Sequence, residues 1–494
     1  MLTPLPSAKW DREKAVHLLN RAAFGGTPEE IEATRAKGMS GAVEALVSPP
    51  NESFEAQPPA WAHPQNIREI RMGIRQAKAE PMQRREKRQE FRMMEGRNIL
   101  DLRGWWLQRM ATTPAPLLEK MTLFWHGHFA TSAEKVKDGY FLWKQNDTLR
   151  RGALGNFVSL TKAISRDPAM MIYLDLRQSR KEKPNENWAR ELMELFTLGI
   201  GNYSEQDIKE SARAFTGYRL DMTTQQFRYA PFQFDAGTKT FLGQTGPFSG
   251  DDIIDIITRQ PACSKFIARK LWRFFAEDQP SEQIVETVAE RLRTHNFEMR
   301  PVLREIFSSN EFYAASAMSN QIKSPVQFLV QTAKLLGTEL PPPQVAQNAM
   351  RQMGQILFAP PNVKGWDGGK AWISTSTLLF RYNFANYLIN GDAMRPGGGA
   401  AGKKNGGDVA FRPRVMNNAP IPPRAPIEMA RLIPTELRVQ PNELIAQLCK
   451  RLSLPPNDTR TFASYLESRA PDTGDETMRG LLHLMMSTPQ FQLA

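Results

Sequence analysis

Over most of the 494-residue chain apolar positions recur every three or four residues, the spacing that gives a helix one buried face. Residues 12–48 read as two helices, and T-P-E-E at 27–30 supplies a capping threonine, a first-turn proline and an acidic first turn. P-A-P at 114–116 opens another helix, with Leu117, Leu118, Met121, Phe124 and Trp125 at helical spacing. Two apolar helices follow within 138–175, separated near Gly155, and Asp167 with Pro168 starts a further one. The helical pattern returns from 250 to about 336, including an apolar helix over 262–275, and again from 341 to 389. Residues 219–242 break the pattern: polar and aromatic positions alternate singly there, as in Q-F-R-Y at 226–229. That alternation predicts a small hairpin. The expected fold is mainly α, a multi-helix globular core with a small β-hairpin insertion near 219–242.

Composition adds few constraints. Apolar residues make up 41% and charged residues 23%, ordinary for a globular chain. There is no run of 18 apolar residues, so no membrane span is expected. The first residues lack the basic region, apolar core and cleavage site of a secretory signal, which by itself predicts a cytoplasmic protein. Cys263 and Cys449 lie too far apart in sequence to suggest a disulfide framework or a zinc knuckle. The length predicts more than one domain. A helical core over 1–390 would include a long charged helix at 67–112, followed by a flexible Gly/Pro-rich segment at 391–426 and a C-terminal helical piece at 427–494. M-R-G-L-L-H-L-M-M-S-T-P-Q-F at 478–491 echoes M-R-P-V-L-R-E-I-F-S-S-N-E-F at 299–312, as a weak internal repeat or one way of stopping a helix used twice.

The net charge of +12 is concentrated at 68–97, including R-R-E-K-R-Q-E-F-R at 84–92. Interleaved glutamates make a solvated helix face the plain reading, with a polyanion-facing surface as the alternative. Nucleic-acid binding has no motif behind it beyond that charge.

The densest buried-looking chemistry lies at 185–218, two amphipathic helices joined at G-I-G, 199–201. At about 100° per residue Asn187, Glu191, Glu194 and Leu198 share a stripe beside Trp188, Leu192 and Leu195. Carboxylates bordering an apolar face need a partner, either Arg190 or Arg213, or a metal. Ser204 and Asp207 form a variant capping box for the second helix. His126 and His128 stand about 200° apart on a helix. They reach one ion only if Gly127 ends the helix and a turn swings both imidazoles to one side. The competing reading is a pair of helix-end histidines bonded to free carbonyls. His17, within an apolar run, reads as a core histidine. G-W-D-G-G at 365–369 is a tight glycine turn, with Trp366 and Trp372 as platforms at a pocket mouth. Arg269, Lys270 and Arg273 are expected to pair with acids on neighbouring helices, and Asp235 is a ligand or a turn former.

Several of these segments together resemble the bacterial DUF1800 family. They are E-N-W-A-R-E-L-M-E-L-F-T-L-G at 186–199 with T-G-Y at 216–218, H-L-L-N-R-A-A-F-G at 17–25 and F-W-H-G-H-F at 124–129. K-T-F-L-G at 239–243, F-I-A-R-K-L-W at 266–272 and G-W-D-G-G-K-A-W-I-S-T-S at 365–376 also match. The resemblance gives a family without a reaction. It implies a neighbourhood with DUF1501 proteins, which look alkaline-phosphatase-like and often carry twin-arginine signals. Many family members have histidine where this chain has Phe196, and His-Asp where it has Phe234-Asp235. A metal site here would therefore rest on His126, His128 and the carboxylates Glu191, Glu194 or Asp235. Carboxylate-rich ligation favours Mn, Fe, Mg or Ca over Zn.

Three functions are open on these grounds. The first is a metal-dependent hydrolase or oxygen-using enzyme whose divalent metal sits on His126, His128, Glu191 and Glu194. Glu191 or Glu194 would serve as ligand or general base and His128 as ligand or acid, with Asn187, Arg190, Asp235, Lys239, Trp366, Asp367 and Trp372 binding the substrate. The second is a non-catalytic partner of a DUF1501-type protein, scaffolding it or co-exported with it. The third is binding of an anionic polymer through 68–97. The lack of a G-x-S-x-G motif disfavours serine-type acyl transfer.

Overall fold

The computed structural model describes residues 2–63, 72, 81–392, 421–455 and 459–494. Most of the expected flexible segment at 391–426, and the charged stretch before residue 81 apart from Met72, lie outside the described residues. The fold is mainly α. The chain opens with α1 (Arg12–Ala22), α2 (Pro28–Ala36) and α3 (Gly38–Val47), then α4 (Pro81–Thr112), α5 (Pro116–His128), α6 (Gly139–Gly152) and α7 (Phe157–Ser165). The central pair is α8 (Glu186–Glu191), which continues as a π-helical turn over Leu192–Thr197, and α9 (Glu205–Ala214). Then come α10 (Gly250–Thr258), α11 (Pro261–Phe275), α12 (Glu282–Thr294), α13 (Met299–Phe307), α14 (Pro325–Leu335), α15 (Pro343–Met353) and α16 (Thr375–Asn390). The C-terminal part adds α17 (Pro441–Leu452), α18 (Thr459–Arg469) and α19 (Asp475–Met486), with shorter helical turns between. No helix among the described residues is long and apolar enough to cross a membrane.

The helix starts follow local chemistry. Thr27 accepts from the Glu30 amide and Glu30 from the Thr27 amide, a complete capping box. Ser204 with Asp207, and Ser249 with Asp252, repeat the device. Asn156 and Asp167 cap α7 and the short helix after it.

The alternating stretch forms two hairpins rather than one. β1 (Tyr218–Asp221) pairs antiparallel with β2 (Gln226–Tyr229), and β3 (Lys239–Phe241) with β4 (Gln244–Gly246). The second hairpin turns at Leu242 and Gly243, both at positive φ (45° and 77°). A leucine in that region is uncommon, so the turn carries no strong sequence signal.

Buried side chains gather in two large clusters. One takes α1, α3, α5 and α7–α13, and the other takes α4, α6, α14–α16 and the C-terminal helices α17–α19. α5 serves both, Trp125 in the first and Leu123 in the second. α4 is exposed at 85–90, as both readings of its charges require, and then enters the second cluster through Leu102, Trp106 and Met110. The echo between 299–312 and 478–491 marks a shared helix stop. After α13 the Ser309 hydroxyl accepts from the amide of buried Phe312 (3.3 Å), and after α19 the Thr488 hydroxyl accepts from that of buried Phe491 (3.4 Å).

Candidate functional site

α5 does not stop at Gly127: it stays helical through His128, so the two histidines point apart. His126 faces Trp106 and Phe358, and its Nε2 accepts from the Phe358 amide at 3.0 Å. His128 faces the central helix, its Nε2 donating to the Phe196 carbonyl at 3.0 Å. That leaves Nδ1 bare, and it accepts from Lys270 Nζ at 3.1 Å. Each imidazole has thus committed its lone pair to a protein donor. Burial, then Arg103, drops His126 to about 3, and burial, then Lys270, pushes His128 well below its ordinary value.

The expected carboxylate partners lie elsewhere. From Leu192 onward the backbone is π-helical, so the stripe drawn at 100° per residue does not continue. Glu194 accepts from the Tyr203 hydroxyl at 3.2 Å. Burial and the charge of Glu194 raise the Glu191 carboxyl. Arg190 binds Glu205 through two bonds of 2.8 and 2.9 Å, Arg213 is held by Asp235 and Glu210, and Asn187 is exposed. Lys239 donates to the carbonyls of Asp235 and Gly237 and ties down the hairpin loop. Among the described residues no three or more His, Cys, Asp or Glu side chains stand where they could share a metal ion. The donor set expected from sequence is therefore not assembled.

A cavity of about 290 Å³ opens on the other side of His128, between α5, α11, the start of α14 and the loop at 364–372. Two glycines bring that loop close. A Cβ on Gly365 (φ 90°) would sit 2.2 Å from the Gly127 carbonyl oxygen, and one on Gly369 (φ 53°) would sit 2.4 Å from Asp278. Only glycine fits either place. The loop lays Trp366 beside His126, ring centroids 5.7 Å apart, and with Trp372, Leu123, Phe124 and Phe274 it forms the apolar wall.

The polar side of the cavity is cationic. Lys120, Lys270, Arg273 and Lys364 line it against two carboxylates, Asp278 and Asp367, and Asp367 is already paired with Lys364 at 2.8 Å. Lys120 is 5% exposed, donates to Gln327 Oε1 at 2.9 Å and lies over the rings of Phe24 and Phe274. Burial, then Arg21, lowers its amine to about 7. Lys270 donates to the Leu195 carbonyl at 3.0 Å as well as to His128; burial, then Arg273 and Lys364, lowers it to about 7. Behind the lining Arg21 is 1% exposed, with Nε and Nη1 unpartnered. Burial pulls it to about 9 despite Asp278. Arg269 pairs with Glu282 as expected for α11, but Lys270 and Arg273 make no ion pair among the described residues.

The model of a family described as "Protein of unknown function (DUF1800)" matches residues 17–493. The chain belongs to the DUF1800 family. No curated protein and no solved structure matches it. Five of the DUF1800 segments meet at this cavity. The one at 17–25 gives Arg21 and the Phe24 ring under Lys120, 124–129 gives Phe124 and His128, and 266–272 gives Lys270. The segment at 365–376 gives Trp366 and Trp372, and 186–199 gives the carbonyls of Leu195 and Phe196. Of the residues expected from sequence, His128, Trp366, Asp367 and Trp372 line the cavity and His126 lies under Trp366; Glu191, Glu194, Asn187, Arg190, Asp235 and Lys239 do not line it. Lys120, Lys270, Arg273, Asp278 and Lys364 were not foreseen as site residues. The available signal was a lysine placed among apolar helix positions, Lys120 between Leu117 and Phe124 and Lys270 between Phe266 and Phe274.

Proposed function

We propose that this DUF1800 protein binds a small anionic molecule in the cavity between α5, α11 and the Trp366 loop, with His128 and Lys270 as the reactive couple of an enzyme site. The observation that carries the reading is the charge imbalance. Four cationic side chains line the cavity, Arg21 lies behind it with two free nitrogens, and the one lining carboxylate outside an ion pair is Asp278. Burying cations without counter-ions is costly, and an anionic ligand offsets that cost. Strongly displaced amines grouped in a cleft are also a mark of functional sites. The metal-dependent reading would need His126 and His128 to release their present donors and turn toward carboxylates outside the cavity, so the anion reading is preferred. The exposed large apolar side chains, among them Ile200, Phe232 and Val439, sit on different elements, and no single observation favours a DUF1501-type partner.

The test is a titration of phosphate, sulfate and malonate, followed by the shift in melting temperature. A saturable rise that Lys120→Met abolishes supports the reading. No shift with any of the three at concentrations up to tens of millimolar would overturn it.

A further inference from the structure

Lys270 is the lining amine held between two acceptors. The Phe196 carbonyl can only accept, so His128 Nε2 carries the imidazole proton and Nδ1 is an acceptor. Nδ1 and the Leu195 carbonyl, 3.1 and 3.0 Å from Nζ, therefore both accept from Lys270. A neutral amine has two N–H bonds, and these two acceptors use both. The lone pair is the one position of Nζ that no protein group takes. A third proton would be added beside Arg273 and Lys364, with no carboxylate within ion-pair distance of Nζ among the described residues. The Phe266 ring, 4.8 Å from Nζ, and the backbone of the π-helical turn fix where the amine sits.

We propose that Lys270 is a nucleophilic amine that forms an imine with the carbonyl of an acidic aldehyde or ketone bound in this cavity. The inference rests on the anion-binding reading and adds a bond-forming step to it. Nζ attacks the carbonyl carbon with its lone pair, and the proton that nitrogen sheds passes to the carbonyl oxygen. The resulting carbinolamine loses water, so amine and carbonyl become imine and water with no change in oxidation state. Arg273, one helical turn beyond Lys270, and Lys120 across the cavity receive the ligand's carboxylate or phosphate. Trp366 and Phe274 give the rest of a small ligand an apolar surface and exclude water that would hydrolyse the imine.

The experiment treats the full chain with glyoxylate and sodium cyanoborohydride, which reduces any imine to a stable carboxymethyl amine, and locates the adduct by peptide mass mapping. Lys270 should be modified at least ten times faster than the other lysines, and phosphate should slow that reaction in proportion to its occupancy. Lys270→Arg, which keeps N–H donors there but has no nucleophilic lone pair, should remove the fast phase while the protein still melts cooperatively. If that variant does not fold, the phosphate competition in the wild type carries the test. Labelling without preference for Lys270, in a protein whose melting temperature phosphate raises, overturns the imine and leaves the anion site standing. Labelling without preference and no phosphate effect overturns both.

Discussion

Replacing Lys120 by methionine should make the protein more stable while removing its anion binding. Lys120 is 5% exposed and its amine falls from 10.5 in the unfolded chain to about 7 in the fold. Between those values the unfolded state holds the proton more tightly than the folded state. Folding stability therefore rises with pH in that window, by up to about 1.4 kcal/mol per pH unit from this one group. Relative to a neutral side chain the lysine costs about 4 kcal/mol at pH 7 and about 2 kcal/mol at pH 9. Methionine of similar length fills the space against Phe24 and Phe274. It leaves Gln327 Oε1 without its donor, a loss of about 1–3 kcal/mol, although Gln327 Nε2 keeps its bond to the Asn20 carbonyl. The net expectation is a gain of about 2 kcal/mol at pH 7 that shrinks to near zero at pH 9.

The assay is urea unfolding of wild type and Lys120→Met at pH 7 and pH 9, followed by tryptophan fluorescence, comparing midpoints at each pH. Lys270 and Lys323, also lowered to about 7, are present in both proteins and drop out of the difference. A variant less stable than wild type at pH 7, or a difference unchanged at pH 9, would show that the fold holds Lys120 charged and compensated. That result would remove the main support for the anion reading as well.

Three further substitutions probe the frame around the cavity. Glu119 is fully buried between Arg150, at 2.7 and 3.0 Å, Arg109 and Trp106 Nε1. Glu119→Gln should cost about 3–5 kcal/mol in the same unfolding assay because Arg150 stays behind uncompensated. Burial raises the Asp167 carboxyl to about 7, above its unfolded value, so its contribution to stability is lost as pH rises from about 4 to about 7. Asp167→Asn keeps the cap, should be at least as stable as wild type at pH 8 and should lose that slope; Asp167→Ala should cost about 1 kcal/mol for the cap. Gly365→Ala should cost at least about 1–2 kcal/mol from its φ of 90° alone, and should weaken the phosphate-induced melting shift because the loop lifts off α5.

Local chemistry made the helices legible, and it made the cavity only partly so. Thr27 with Glu30, Ser204 with Asp207 and Asp167 with Pro168 each mark a helix start through contacts three residues apart, which a sequence displays directly. The glycine turn at 365–369 was readable for the same reason, since close backbone approach leaves glycine little competition. Its target, the Gly127 carbonyl, is set by tertiary packing more than two hundred residues away in the chain and was not. The metal reading of His126 and His128 required Gly127 to end the helix, and α5 continues through it. Inside α5 the Gly127 carbonyl instead faces Gly365 so closely that Gly365, and not Gly127, has no room for a Cβ. The carboxylates of the central helix drew attention because paired acids on an apolar face need partners. Glu194, inside the π turn, is met instead by the Tyr203 hydroxyl.

The central helix acts on the cavity by ending there. A helix leaves its last carbonyls without backbone donors. Here the widened last turn presents those of Leu195 and Phe196 to α11 and α5, where Lys270 and His128 satisfy them. One bond fixes the histidine tautomer, the tautomer makes Nδ1 an acceptor, and that acceptor orients the lysine. The chain of dependence runs through backbone oxygen atoms, so the phenylalanine at 196 takes nothing from it. Phe196→Leu should cost about 1 kcal/mol of packing and leave the phosphate response intact. Lys270→Met, which removes the donor that His128 and the Leu195 carbonyl hold, should weaken it. Lost phosphate binding in a folded Phe196→Leu variant would instead place that side chain, and not its carbonyl, at the centre of the site.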